Sequence, residues 1–375
     1  MSPSSSLSLL FLSVLSLVSF ASASSACLAF DTNWDLLAFG FGGKDFNVGT
    51  QDSWSSSGHP TDITTSGRPP FDGPNATCYL SQFFNAVYVL GADTSDAAAI
   101  YIYDATAKSW SKQETTPGNF NPSSFNAILD HDTNVFYALS GGTLFSLDMG
   151  SLKTATGNPI PWDNVQTPAF AASGYQPVMA LAQNHVHFLN VPGLSAGQAQ
   201  IFVIHFSYVQ PNPQLYQPAF PASHGQAASF FLDSGVQQQF AFIPDDGSAT
   251  WVINVETNTT QSLAGPSSKD PKATYFASTN SLVQLTSDGT VSFLPFDGTS
   301  TPANAQASWS KISKLSNLVQ SGSTSNSSSH PSGTSAGAPS ASKSAGSNSS
   351  ARMRFTSDIV ALITFVSGCL AVTLV

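Results

Sequence analysis

The chain has 375 residues, 41% of them hydrophobic, and only 9% carry charge, against about 25% in ordinary soluble proteins. Twelve Lys and Arg face 22 Asp and Glu, a formal net charge of −10, so there is too little basic surface to neutralise phosphates, and nucleic acid is not an expected partner. The polar surface is left to Ser, Thr, Asn and Gln, which suits an extracellular setting.

The first predicted element is an apolar run over residues 7–20 followed by "ASASSA". Shorter than the roughly 20 residues that span a membrane and flanked by small residues, it reads as a secretory signal peptide over residues 1–23, with cleavage after Ala23 or Ala26. No Lys or Arg precedes Lys44, so the terminal amine alone supplies positive charge there.

Residues 26–319 form one large all-β domain. No long stretch keeps apolar residues at helical spacing, whereas short period-two or continuous apolar runs recur: "YLSQFFNAVYVLGA", "AAIYIYDA", "NVFYALSGGTLFSLDM", "AQIFVIHFSYV", "AASFFLD" and "SLVQLTSDGTVSFLPFDG". Asp-Gly, Gly-Gly and Asp-Thr-Asn lie between them, the residues that tight hairpin turns require. Cys27 and Cys78, two thiols in an oxidising compartment, form a disulfide by default, since Cys369 falls in a terminal apolar tail.

Self-similarity at tens of residues points to a repeat architecture. Trp54, Trp110, Trp162, Trp251 and Trp309 are separated by 56, 52, 89 and 58 residues, and the wide gap holds "IFVIHFSY" where a copy has lost its Trp. "AKSWSK" at 107–112 returns as "QASWSK" at 306–311. In "AVYVLGA" followed by "IYIYDATAKSW", an apolar strand ends in a turn Gly, a second strand ends in Asp104, and Trp110 follows six residues later. "VFYALSGG" with "LFSLDM" keeps Gly141 and Gly142 and leads to Trp162, and "LLAFGFGG" precedes Trp54.

These segments resemble kelch-type β-propeller repeats, of the class that includes the central domain of galactose oxidase. The resemblance covers about a third of the chain and implies six four-stranded blades, with five or seven also fitting, and Trp in the gaps between blades. It also implies that the first and last strands share one blade, with the Cys27 disulfide near that seam.

The copper enzymes of that class use two tyrosines, two histidines and a cysteine crosslinked to a tyrosine, and no motif here maps onto that set. His185 and His187 in "NHVHF" project to one face of a strand and are metal candidates, although paired histidines on a half-exposed strand are commoner than a site. His205 reads as a hydrogen-bonded core residue. "DHD" at 130–132 and "PDDGS" at 244–248 read as turns before acid–base pairs or Ca loops, and Asp104, Asp148 and Asp297 as corner residues. No catalytic residue, metal or cofactor is therefore assigned. The expectation is a monomeric binding or structural module for a glycan or a protein, and the competing reading is a carbohydrate-active or metal-dependent enzyme with its site at the rim or channel.

Residues 320–350 form a Ser/Gly/Ala-rich stalk, and residues 351–375 end in an uncharged tail from Ile359. Small residues, a polar spacer and a terminal apolar run make a GPI-attachment signal, with Asn348 as acceptor or Gly346 as the alternative. A tail helix that stays in the membrane is the other reading. Asn75, Asn258 and Asn326 are glycosylation acceptors. The whole resembles a fungal-type surface protein, placed on the extracellular face of the plasma membrane or in the wall.

Overall fold

The computed structural model describes residues 25–171 and 174–316. The signal segment, Asn326, the stalk, Gly346, Asn348 and the tail lie outside the described residues.

Six sheets follow one another along the chain. Blade 1 is β1 (Cys27–Phe30), β2 (Leu36–Phe41), β3 (Lys44–Gly49) and β4 (Thr61–Asp62); blade 2 is β5 (Thr77–Ser81), β6 (Ala86–Leu90), β7 (Ile100–Asp104) and β8 (Ser109–Gln113). The short β9 (Thr115–Thr116) precedes blade 3, which is β10 (Asn126–Asp130), β11 (Val135–Ser140), β12 (Thr143–Asp148) and, beyond β13 (Ile160–Pro161), β14 (Asp163–Gln166). Blade 4 is β15 (Val178–Ala182), β16 (His185–Leu189) and β17 (Gln198–Val203), with its outer edge divided between β18 (Tyr208–Val209) and β19 (Gln214–Leu215). Blade 5 is β20 (Gly225–Ser229), β21 (Gln239–Pro244), β22 (Ala249–Asn254) and β23 (Thr259–Ala264); blade 6 is β24 (Thr274–Ala277), β25 (Ser281–Leu285), β26 (Val291–Pro295) and β27 (Ser310–Lys311). Within each blade the pairing is antiparallel, whereas β9 and β13 pair in parallel between blades 2 and 3.

The first strand of each blade touches the first strand of the next, and β24 returns to β1, so the sheets close into a six-bladed propeller. Because each blade is covered on both faces by its neighbours, its middle strands are buried without alternation: β2, β6 and β25 are buried along their whole length, β25 with Ser281 and Gln284 included. The aromatic stretch of β7 is buried throughout for the same reason.

The tryptophans occupy the gaps between blades. Trp54 packs against Phe293 at 5.0 Å between blades 1 and 6, and Trp110 against Phe39 at 5.1 Å between blades 2 and 1. Trp162 and Trp309 occupy the gaps between blades 3 and 2 and between blades 6 and 5. Trp251 packs, half-buried, on the cluster between blades 4 and 5, but it sits on the third strand of its blade, which accounts for the uneven spacing around it. Gly141 and Gly142 form the β11–β12 turn, both at positive φ.

Two expectations about closure are corrected. Each blade is built from one contiguous segment, so no blade combines the first and last strands. The seam between blades 6 and 1 is closed by side-chain packing of Leu28, Phe30 and Trp54 with Val283, Phe293 and Ile312, and Lys314 Nζ donates to Val48 O at 2.9 Å. The disulfide joins Cys27 on β1 to Cys78 on β5, with Cα atoms 5.8 Å apart, and therefore ties blade 1 to blade 2 instead of the seam.

Candidate functional site

The six innermost strands leave one edge each facing the axis, and an edge strand presents unpaired backbone N–H and C=O groups. Between them runs a channel of about 780 Å³, within the range of ligand sites. Its mouth lies where the inner strands begin, at Asp72, Asn75, Phe125, Lys272 and Ser287. Its wall carries Thr77, Tyr79, Asn126, Gln226, Thr274 and Phe276. Of the lining residues only Asp72 and Lys272 are charged at neutral pH, and both sit at the mouth. Burial raises the Tyr79 and Tyr275 hydroxyls further above neutrality, so they stay uncharged donors and acceptors.

The far end is floored by one loop. After β20 the chain leaves the sheet at Phe230 and crosses the axis over residues 230–238, where the "AASFFLD" run had suggested a continuing strand. The loop bonds to all five other blades. Trp34 Nε1 of blade 1 donates to Asp233 Oδ1 at 3.2 Å, and Gln82 Nε2 of blade 2 donates to Leu232 O at 2.7 Å. His131 Nε2 of blade 3 lies 3.4 Å from Gly235 O. Gln183 N of blade 4 donates to Gln237 O at 2.8 Å, and Phe231 N donates to Ser278 O of blade 6 at 3.2 Å. Phe231 and Gln237 face the channel as its floor. The only sequence signal for this element was its length: nine residues stand between two paired strands where a hairpin needs two to five.

The residues singled out in the sequence fall apart spatially. His187 is buried in blade 4 against Phe240, ring centroids 5.3 Å apart, and burial pushes its pKa down to about 3. His185 is half-buried beside the Gln183 carbonyl, its pKa also lowered by burial. His205 is exposed on the turn Ile204–Phe206, where a core position was expected; the strand ends at Val203, and the turn carries the ring out of the blade. Among the described residues, no three His, Cys, Asp or Glu converge to hold a metal ion.

Asp104 Oδ1 accepts from Thr106 N and Ala107 N at 2.8 and 2.9 Å, Asp148 Oδ1 from Gly150 N at 2.7 Å, and Asp297 Oδ1 from Thr299 N at 2.9 Å. All three carboxylates cap turns. Asp130 ends β10, accepts from the Thr133 hydroxyl at 2.6 Å, and is raised by burial. Asp246 Oδ1 accepts from Ser248 N in the β21–β22 turn. Asn75 is exposed at the channel mouth, and Asn258 is exposed in the β22–β23 turn.

No protein-family model matches the chain, and no curated protein matches it. Among solved structures it is similar to the selenomethionine-substituted virginiamycin B lyase from Staphylococcus aureus, at 12% identity and a TM-score of 0.43 over 78% of this chain and 86% of that one. It is also similar to Kluyveromyces lactis Hsv2, at 12% identity and a TM-score of 0.39 over 72% of each chain. The propeller assignment rests on the sheet topology above.

Proposed function

We propose that this protein is a kelch-type, cell-surface binding module, secreted through residues 1–23, held by a GPI anchor at Asn348, and taking a neutral glycan into its channel. The observation that carries the reading is the channel itself: blind at one end, uncharged along its wall, and lined by hydroxyls, amides, aromatic rings and strand edges. Neutral hydroxyl-rich ligands match such a surface, because each polar group of the wall finds a partner and no buried charge is left unpaired. The kelch reading draws support from the Gly pairs at 42–43 and 141–142 in second-to-third-strand turns and from Trp110, Trp162 and Trp309 at or beside outer strands. A Ser-rich stalk and an anchor signal agree with a fungal-type surface protein.

The purified full chain is expected to bind neutral oligosaccharides on a glycan array, with Gln226→Ala and Phe125→Ala each weakening binding at least tenfold by calorimetry. Turnover of a bound glycan, or a stoichiometric metal ion in the purified protein, would overturn the binding-module reading in favour of an enzyme. Phosphatidylinositol-specific phospholipase should release the protein from cells, and retention would favour a membrane-spanning tail.

A further inference from the structure

On the opposite side of the floor loop from the channel lies a second pocket of about 390 Å³, lined by Thr32, Trp34, Gln82, Phe83, Asn85 and residues 233–235. The loop separates the two: Phe231 and Gln237 line the channel, whereas Asp233, Ser234 and Gly235 line this pocket.

Two aromatic rings are held here at a cost. Phe83 sits on the turn Gln82–Phe84 and is 65% exposed. Its ring stacks on that of His131, centroids 6.0 Å apart and planes at 15°, and His131 is itself 3% exposed and packed on Phe231. One ring face is thus fixed against the protein and the other is open. Trp34 adopts φ +60°, a left-handed conformation that costs a bulky residue about 1–2 kcal/mol. It is held by the bond to Asp233 and by packing on Phe231 at 5.7 Å. Strain of this kind persists where surrounding structure over-determines it, and it clusters at ligand sites.

The polar groups of the pocket are fixed as well. Asn85 Oδ1 accepts from Thr32 N at 3.0 Å, which locks the blade 1 turn to the blade 2 turn, and Gln82 is anchored on Leu232 O. The one charged group lining the pocket is Asp233, so anions are disfavoured. The exposed Phe83 ring, the half-buried Trp34 indole, one carboxylate, two amides and two hydroxyls match a ring that is apolar on its C–H faces and hydroxylated at its edge.

From this geometry we propose that the lower-face pocket is a second binding site, which takes one neutral sugar ring between Phe83 and Trp34 with its hydroxyls on Asp233 and Gln82. Its lining shares no residue with the channel's, and it stands whether or not the channel binds a glycan.

The test titrates the purified full chain with neutral gluco-, manno-, galacto- and N-acetylglucosamine oligosaccharides. Trp34 fluorescence is read as the difference between the wild type and Trp34→Phe. A saturable change is expected with at least one series. Phe83→Ala and Asp233→Ala should each weaken it at least tenfold at unchanged melting temperature, Phe83→Tyr should retain it, and the channel variant Gln226→Ala should leave it intact. The proposal is overturned if no series perturbs Trp34 up to millimolar sugar, if the change survives Phe83→Ala, or if an apolar peptide binds the pocket and sugars do not. Loss of channel binding with the Trp34 response intact would strike the channel reading alone.

Discussion

Asp45 has no exposed surface, and its carboxylate is held by Arg68 through Nε to Oδ2 at 2.8 Å and Nη2 to Oδ1 at 2.6 Å, with Gly40 N donating to Oδ1 at 3.0 Å. Arg68 also lies over the Phe71 ring at 5.0 Å. Removing the guanidinium leaves a buried charge with one backbone donor, so Arg68→Ala should cost about 3–5 kcal/mol in urea denaturation. Arg68→Lys should recover only part of that, since an ammonium does not reproduce the two-pronged contact. A loss below about 1 kcal/mol would mean that the pair is solvated in solution. Gly73 makes a second prediction. A Cβ there would lie 2.0 Å from Gly91 O, where two backbone segments touch, so Gly73→Ala should cost about 1–3 kcal/mol. Gly157 has open space around it and no left-handed φ, so Gly157→Ala should stay within about 0.5 kcal/mol by the same measurement. Of these features the sequence indicated only the polar corners; nothing in it distinguished Gly73 from Gly157, because the atoms that crowd Gly73 belong to the segment that follows β6.

At the scale of elements, β16 carries a pH dependence. His187 has a folded pKa of about 3 because burial disfavours its charged form, against 6.5 for an ordinary imidazole. Between these values the unfolded chain binds a proton that the folded chain refuses. Stability is therefore full above about pH 6.5 and falls as pH drops, by up to about 1.4 kcal/mol per pH unit for one such group. His185, lowered for the same reason, acts in the same direction, whereas Asp31 and Asp130, raised by burial, partly oppose it as pH falls. The urea midpoint should decline from pH 7 to pH 5, and more shallowly in His187→Gln; equal slopes would place the dependence elsewhere. The "NHVHF" strand was legible as a strand with paired histidines. That His187 is an aromatic-packed core group depends on Tyr216 and Phe240, which come from the outer part of the same blade and from the next one. The floor loop was illegible for a related reason: its partners lie 104, 150 and 199 residues away, at His131, Gln82 and Trp34.

For the whole molecule, the Cys27–Cys78 bridge closes a loop with a sequence separation of 51 between the inner strands of blades 1 and 2. By the usual loop argument it contributes about 2–4 kcal/mol, and the Cys27→Ala, Cys78→Ala double variant should lose that much in guanidinium melts while keeping its sheet content. A change below about 0.5 kcal/mol would show that inter-blade packing alone fixes these strands. The closing junction, between blades 6 and 1, has no disulfide among the described residues and relies on Trp54, Phe293 and Ile312. The sequence by itself determined the all-β class, the blade-length repeat, the tryptophan positions and the turn carboxylates, because alternation, turn chemistry and recurrence are local properties of a chain. Only the tertiary structure decided the number of blades, the contiguous blade at each end, the blade pair that the disulfide joins, and the floor that separates a channel from a second pocket. Those features arise where the ring brings distant segments together, and no short window of sequence contains both sides of such a contact.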